Sequence, residues 1–436
     1  MKRFSLNAPG TCLLSVAIAA AAITSLPVMA VESHLELQQV LIFSRHSIRA
    51  PLANYNNALG NATTHSWPTW STEGGLLTPK GGQVEEHVGQ YYRLWLAKNN
   101  LVPAKGCPQP QSVFAYANSL PRTIDTAKHF LIGAFPGCEL PVVNRVEVGK
   151  MDPVFNPIVT ATVDEKFNQG AIDATNTLAG EGGLDGLNQR LKPNYALIEK
   201  VMDFKNAKTC KEDKICDLTA QPSKLVLAQG KEPGISGPLG LGTGVSDAFM
   251  LQYYEGLPMK DVAWGQISTP EQWKQVEEFK NADQKALFSS REVGVNTAAP
   301  TLNFISGVLD PSLAKTADQQ AAQKARVTLM VGHDSNIAAF VSALKIKDFT
   351  LPGQYERTPI AGAVMFQRWH DTKADRDLMK IEYVYPTAVQ IRNNSTYSLN
   401  NPMKRTVLEM EGCAIDNQGF CSAETFNKLL QERLKG

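Results

Sequence analysis

Three separated stretches of the chain share one local grammar: a short run of β-favouring apolar residues, an abrupt polar turn, then a segment with helical spacing. The first is Gln39-Val40-Leu41-Ile42-Phe43, running into Arg45-His46. The second is Ser112-Val113-Phe114-Ala115-Tyr116-Ala117, then Asn118 to Thr123, then IDTAKHFLIGAF. The third is Val327-Thr328-Leu329-Met330-Val331, then Gly332-His333-Asp334, then NIAAFVSAL. Strand followed by helix, repeated, predicts a parallel sheet with helices on its faces. In such sheets ligands gather beyond the carboxyl ends of the strands. Arg45, His46, Arg49, Arg122, His333 and Asp334 all fall just past an expected strand end, so one edge of the sheet can collect them. Burial within the strands would suit these charged groups poorly.

With 436 residues the chain can bury a large core, either in two to three domains or in one elaborated α/β domain. Residues 1–30 combine a basic start at Lys2 and Arg3, an apolar run from Leu13 to Ile23 and the small-residue end Val28-Met29-Ala30. They read as a secretory signal peptide cleaved after Ala30. A membrane anchor is the competing reading, but the run is too short to span a bilayer. The mature chain is therefore expected off the membrane. Cleavage takes two of the 43 basic residues and none of the 42 acidic ones, which leaves a near-neutral protein. That balance argues against nucleic acid as a partner. Six cysteines remain: Cys107, Cys138, Cys210, Cys216, Cys413 and Cys421. An even count in an exported chain implies disulfides, although sequence alone admits many pairings. The short spacings favour Cys210 with Cys216 and Cys413 with Cys421, leaving Cys107 for Cys138. Zinc would require CxxC spacing or nearby histidines, and neither is present.

Between Thr160 and Pro300 the texture changes to helical spacing, as in GLNQRLKPNYALIEKVMDF, PEQWKQVEEFKNADQKALF and SREVGVNTAAPTLNFISGVL. The expected organisation is an α/β core from residues 31–160 and 300–436, with residues 161–299 a mostly helical domain covering its active edge. After Arg357, AVMFQRWH and MKIEYVY predict two antiparallel strands. The glycine-rich GPLGLGTG around Gly240 lacks the setting of a nucleotide-binding turn and reads as a plain loop.

The charged turns carry an inventory of chemistry. Arg45 and Arg49 discourage protonation of His46 until an anion arrives, and a neutral imidazole is a usable nucleophile. A surface RHxxR with solvated charges is the bland alternative for that cluster alone. Arg122 sits at a strand-to-helix junction that already favours anions. His333 and Asp334 add a donor and a carboxylic acid, although each alone reads as structural, Asp334 as a helix cap. Together they predict phosphoryl transfer: His46 attacks phosphorus, Arg45, Arg49, Arg122 and His333 hold the oxygens, and Asp334 protonates the leaving group, then activates water. No metal or other cofactor is required, because the arginines neutralise charge. An acid with an ordinary value near about 4 makes low pH favourable.

RHSIRAP resembles the RHGxRxP signature of the histidine acid phosphatases, branch 2 of the histidine phosphatase superfamily, and GHDSN resembles their HD motif. Arg122 in NSLPRT matches the arginine between them. Ser47 stands where that family usually has glycine, and Pro121 where glutamine is expected. The stretches HSWPTW, AYANSL, FPGCELPV, MDPVFNP, EPGISGPL, LQYYEG, VAWGQI, ERTPIAGAVMFQRWHD and RDLMKIEYVYP are similar to the family's bacterial periplasmic branch that acts on sugar phosphates. The phytase branch differs, with a usual HDTN motif and a basic pocket. The resemblance implies a phosphoglycerate-mutase-like α/β sandwich with an inserted helical lid, a phosphohistidine intermediate, a periplasmic location and a small phosphomonoester substrate, glucose 1-phosphate first. It leaves a homodimer open. A phytase or broad-specificity acid phosphatase is the alternative; in another class, a periplasmic phosphosugar-binding protein would use the cradle without turnover. Glu232, in KEPGISGPL, resembles a residue at the family's site mouth, where a carboxylate would accept sugar hydroxyls and repel a highly charged substrate. An exposed loop acid is the plainer reading.

Overall fold

The computed structural model describes residues 34–52 and 55–435. The expected signal peptide, residues 1–30, lies outside them. The strands in chain order are β1 (Leu35–Arg45), β2 (Val113–Ala117), β3 (Val142–Val143), β4 (Lys224–Val226), β5 (Gly234–Ser236), β6 (Val327–Gly332), β7 (Ala363–Asp371), β8 (Arg376–Tyr385), β9 (Lys404–Val407) and β10 (Phe420–Ser422). Eight of them form one sheet in the order β10-β8-β7-β1-β6-β2-β3, with β9 also on β8, while β4 and β5 make a separate hairpin.

The three strands expected from the repeated grammar lie side by side and parallel, β6 between β1 and β2. Every residue of β6 is buried, as a central parallel strand covered on both faces requires. β7 pairs antiparallel with the other side of β1, and β8 with β7. The register sets the site. Arg45 pairs with Gly332 and Ala117 with Val331, so the three carboxyl ends finish level. Backbone bonds carry the alignment one residue further: His46 N–H donates to Gly332 O and Asn118 N–H to Val331 O, each at 3.0 Å.

Five helices frame that edge: α1 (Pro79–Lys98), α2 (Pro121–Ala134), α3 (Pro238–Glu255), α4 (Pro270–Phe288) and α5 (Asp334–Ala343). α1 approaches the turn after β1 closely. A Cβ on Gly81 would stand 2.2 Å from Ile48 O, so only glycine lets the helix this near. α4 opens with a capping box: the Thr269 side chain accepts from Gln272 N–H, and the Gln272 side chain accepts from Thr269 N–H.

α3 corrects the loop expected at GPLGLGTG. Pro238 occupies the first turn, where a missing N–H costs nothing. The glycines weaken intrinsic helix propensity but permit close packing: a Cβ on Gly242 would lie 2.5 Å from the Phe279 ring of α4. Tertiary contact outweighs propensity here. The cysteines pair Cys107–Cys138, Cys210–Cys216 and Cys413–Cys421.

Candidate active site

His46 sits where β1 ends, in a turn fastened from three sides. Ser47 N–H donates to Thr126 Oγ1 of α2 at 3.1 Å, and that hydroxyl donates to Arg122 O at 2.7 Å. Thr78 N–H, at the start of α1, donates to Ile48 O at 2.9 Å. The imidazole is only 2 % exposed. Its Nδ1 lies 2.8 Å from Ser47 O. A carbonyl can only accept, so Nδ1 carries the hydrogen and Nε2 keeps a free lone pair. Burial first, then Arg122 and Arg45, holds the His46 pKa well below its ordinary value. The ring is a neutral imidazole with a fixed tautomer.

The arginines differ in how they are held. Arg45 NH1 donates to Glu356 Oε1 at 2.8 Å and to Thr358 O at 2.7 Å. Arg49 NH2 donates to Asp247 Oδ2 at 3.0 Å. Burial opposes the Arg45 charge, but Asp334, Glu356 and Asp247 together hold its pKa above the ordinary value. Arg122 stands apart, with a helix N-terminus behind it and His333 beside it. Burial, then Arg49, pushes it down to about 10, so it stays charged at neutral pH. The Nε–H groups of Arg45, Arg49 and Arg122 are all buried, with no acceptor among the described residues. Buried donors of this kind ordinarily find partners, and a tetrahedral oxyanion supplies several acceptors at once.

His333 is the N-cap residue of α5; its backbone N–H donates to Asn336 Oδ1 at 2.9 Å. Asn118 accepts Asp152 N–H on Oδ1, at 2.9 Å, so its Nδ2 faces His333 Nε2 at 2.6 Å. Arg122 NH2, which can only donate, lies 3.3 Å from Nδ1, so both ring nitrogens of His333 face a donor. Burial, then Arg122, keeps His333 neutral by holding its pKa well below the usual value. The His46 and His333 rings are 5.5 Å apart, centre to centre.

Asp334 is the first residue of α5 and is 26 % exposed, more open than its ion-pair partners Arg45 and Lys280. Its Oδ2 lies 3.0 Å from Lys280 Nζ and 3.3 Å from Arg45 NH2, while Oδ1 accepts Ser335 N–H at 3.0 Å. Burial would raise its pKa, but Arg45 and Lys280 pull it well below the ordinary value. Glu232 is exposed to solvent on the stretch before β5. It hydrogen-bonds Ser335 and lies within electrostatic reach of Asp334 and Arg122; crowding by protein atoms, then Asp334, shifts its pKa upward. Water still reaches this carboxylate and limits the shift. Asp283 of α4, half-buried, joins the same acidic side, pushed up to about 7 by burial, Asp334 and Glu232.

All seven residues singled out in the sequence thus gather around the carboxyl edge of β1, β6 and β2. Reasoning from sequence missed Asp247, Lys280, Glu356, Asn118 and Thr126. Asp247 had a signal: it is an acid inside an otherwise apolar helical run. Lys280 had none, because PEQWKQVEEFKNADQKALF reads as a helix with a solvated charged face, and Glu356 had none because it lies in the irregular stretch before β7, where no period marks it.

The arrangement can seat a phosphoryl group on arginine and histidine N–H groups, present His46 Nε2 to phosphorus, and set a carboxyl beside the departing oxygen. A model of the histidine phosphatase superfamily (branch 2) matches residues 36–386. The glucose-1-phosphatase of Salmonella typhimurium strain LT2 is 44% identical over 425 residues, covering 97% of this chain and 99% of that protein. The glucose-1-phosphatase of Providencia rettgeri is 42% identical over 406 residues, covering 93% of each. Among solved structures, the Hafnia alvei phytase in complex with tartrate superposes with a TM-score of 0.85 at 29% identity, over 92% of this chain and 98% of that one.

Proposed function

The chain belongs to the histidine phosphatase superfamily, branch 2, and from that footing we propose that it hydrolyses sugar phosphomonoesters, glucose 1-phosphate foremost, through a phosphohistidine at His46. It is a phosphomonoester hydrolase of the histidine acid phosphatase type. The observation that carries the mechanism is a buried neutral imidazole among three arginines whose Nε–H donors have no partner among the described residues. In the first step the Nε2 lone pair forms the P–N bond, and the P–O bond breaks with its electron pair going to the leaving oxygen. That oxygen takes a proton from Asp334. In the second, Asp334 accepts a proton from water, the water oxygen attacks phosphorus, and the P–N pair returns to Nε2. The guanidinium groups, with His333 beside Arg122, stabilise charge on the equatorial oxygens in both steps.

The proton on Asp334 needs a source, because Arg45 and Lys280 hold the free carboxyl ionised. A bound phosphate offsets those cations and raises the Asp334 pKa. Low pH supplies the proton, and the rate of the first step falls as pH rises through the Asp334 pKa of the complex.

Export to the periplasm fits three disulfides. Residues 161–299 serve as the lid in this reading. Choice of substrate rests on the acidic side of the mouth, where Glu232 accepts sugar hydroxyls and disfavours an inositol hexaphosphate. The second reading, a phytase, is favoured by the likeness to the Hafnia alvei structure. The two separate on kcat/KM for glucose 1-phosphate against phytate. Glucose 1-phosphate should dominate in the wild type, and Glu232→Ala should move the ratio toward phytate by roughly tenfold. An unchanged ratio removes Glu232 from specificity, and a wild type that prefers phytate makes the phytase reading the right one.

A further inference from the structure

We infer that Lys280 is a positioning residue for the proton-donating carboxyl, holding Asp334 Oδ2 so that Oδ1 is the oxygen that delivers the proton to the leaving group. The inference rests on Asp334 being the acid. Lys280 comes from α4, far in sequence from the strand ends, yet its ammonium is buried at the centre of the site. Nζ lies 2.8 Å from Glu356 Oε1, 3.0 Å from Asp334 Oδ2 and 3.7 Å from Asp247 Oδ1. An ammonium has three N–H groups, and three carboxylates surround it.

Glu356 fixes the arrangement. Its Oε1 also receives Arg45 NH1 at 2.8 Å, and its Oε2 receives Tyr254 Oη at 2.8 Å. Burial would raise the Glu356 pKa, but Lys280 and Arg45 hold it at about 2, so the anchor stays ionised at working pH. Arg45 alone cannot orient Asp334: its NH1 is committed to Glu356 and Thr358 O, and its NH2 reaches Oδ2 only at 3.3 Å. With Lys280 and Arg45 both donating to Oδ2, a proton on that oxygen would face two cationic donors. Oδ1 has one backbone donor, Ser335 N–H, and a lone pair to spare. The proton therefore resides on Oδ1.

The charged and titratable groups facing Lys280 and Asp334 are Arg45 and His46 at the end of β1, Arg122 from α2, Asp247 from α3, Glu277 and Asp283 from α4, His333, Glu356, and Glu232 before β5. A purely structural Lys280, there to neutralise surplus acid, would damage every substrate alike. A positioning Lys280 damages only those whose leaving oxygen needs the proton.

The test measures kcat/KM for glucose 1-phosphate, whose alkoxide must be protonated, and for p-nitrophenyl phosphate, whose phenolate departs without it. Asp334→Asn should lose far more on glucose 1-phosphate; if it loses equally on both, the acid assignment itself fails, whatever Lys280 does. Given that signature, Lys280→Met should fall on the order of 10²-fold on glucose 1-phosphate and by less than about threefold on p-nitrophenyl phosphate. Lys280→Arg, which keeps a cationic donor, should return the ratio of the two substrates to within about threefold of wild type. Should Lys280→Met not fold, K280M/E356Q removes one charge of each sign and should show the same unequal loss. Equal loss on both substrates in either variant, or an Arg variant as unbalanced as the Met variant, overturns the inference.

Discussion

Ser47 follows His46, the proposed nucleophile, with an ordinary backbone, since it is not among the residues with left-handed φ. A serine therefore stands beside His46 without strain, and a glycine is not needed for the turn. Its hydroxyl is buried and has no hydrogen-bond partner among the described residues. Removing such a group costs little or stabilises slightly. Ser47→Ala should leave kcat on glucose 1-phosphate within about twofold and the melting temperature unchanged or slightly raised; a tenfold fall in kcat would mean that the hydroxyl meets the phosphate. The residues legible in sequence were those whose charge contradicts their setting, an arginine or histidine just past an apolar strand. Arg45, His46, Arg122 and His333 show that contradiction. Lys280 does not, because a lysine on a polar helix is the ordinary case, and only the folded path of α4 reveals that its ammonium meets Asp334.

Strand ends are legible because strand, turn and helix each leave a period in the sequence. β1, β2 and β6 and the helices after the latter two follow the expected runs, with Pro121 at the start of α2 where a missing N–H is tolerated. The order β1-β6-β2 is not legible, because no local pattern states which strand lies in the middle. α3 was misread because glycine lowers local helix propensity while enabling a contact that only the tertiary fold supplies. The same device operates where α1 meets the nucleophile's turn. Gly81→Ala would set a methyl group 2.2 Å from Ile48 O, and the helix or the turn must shift. The expected cost is about 1–3 kcal/mol, read in denaturant melts, with a fall in kcat as His46 moves. A variant with wild-type stability and kcat would show that α1 does not hold the turn.

Across the molecule, buried carboxyls tune stability to acid. Glu85 in α1 is fully buried with neither carboxyl oxygen hydrogen-bonded, and burial pushes it up to about 8 from 4.5. A raised acid binds its proton more tightly when folded. Stability from Glu85 is therefore complete below about 4.5 and is lost as pH rises toward about 8. Glu356 runs the other way: it is lowered to about 2, so its contribution is lost as pH falls from 4.5 toward that value. The two contributions oppose each other, Glu85 favouring acid and Glu356 resisting it. Glu85→Gln should flatten the fall between pH 5 and 8, by roughly 2–4 kcal/mol at the upper end; parallel stability curves for variant and wild type would contradict this. In the proposed mechanism the whole molecule serves one covalent event at His46. Brief reaction with phosphorus-labelled glucose 1-phosphate, followed by a denaturing quench, should trap label on the wild-type chain that is lost in acid and kept in base. It should be absent in His46→Ala. Turnover in wild type with no trapped label, or label that persists in His46→Ala, would contradict the account.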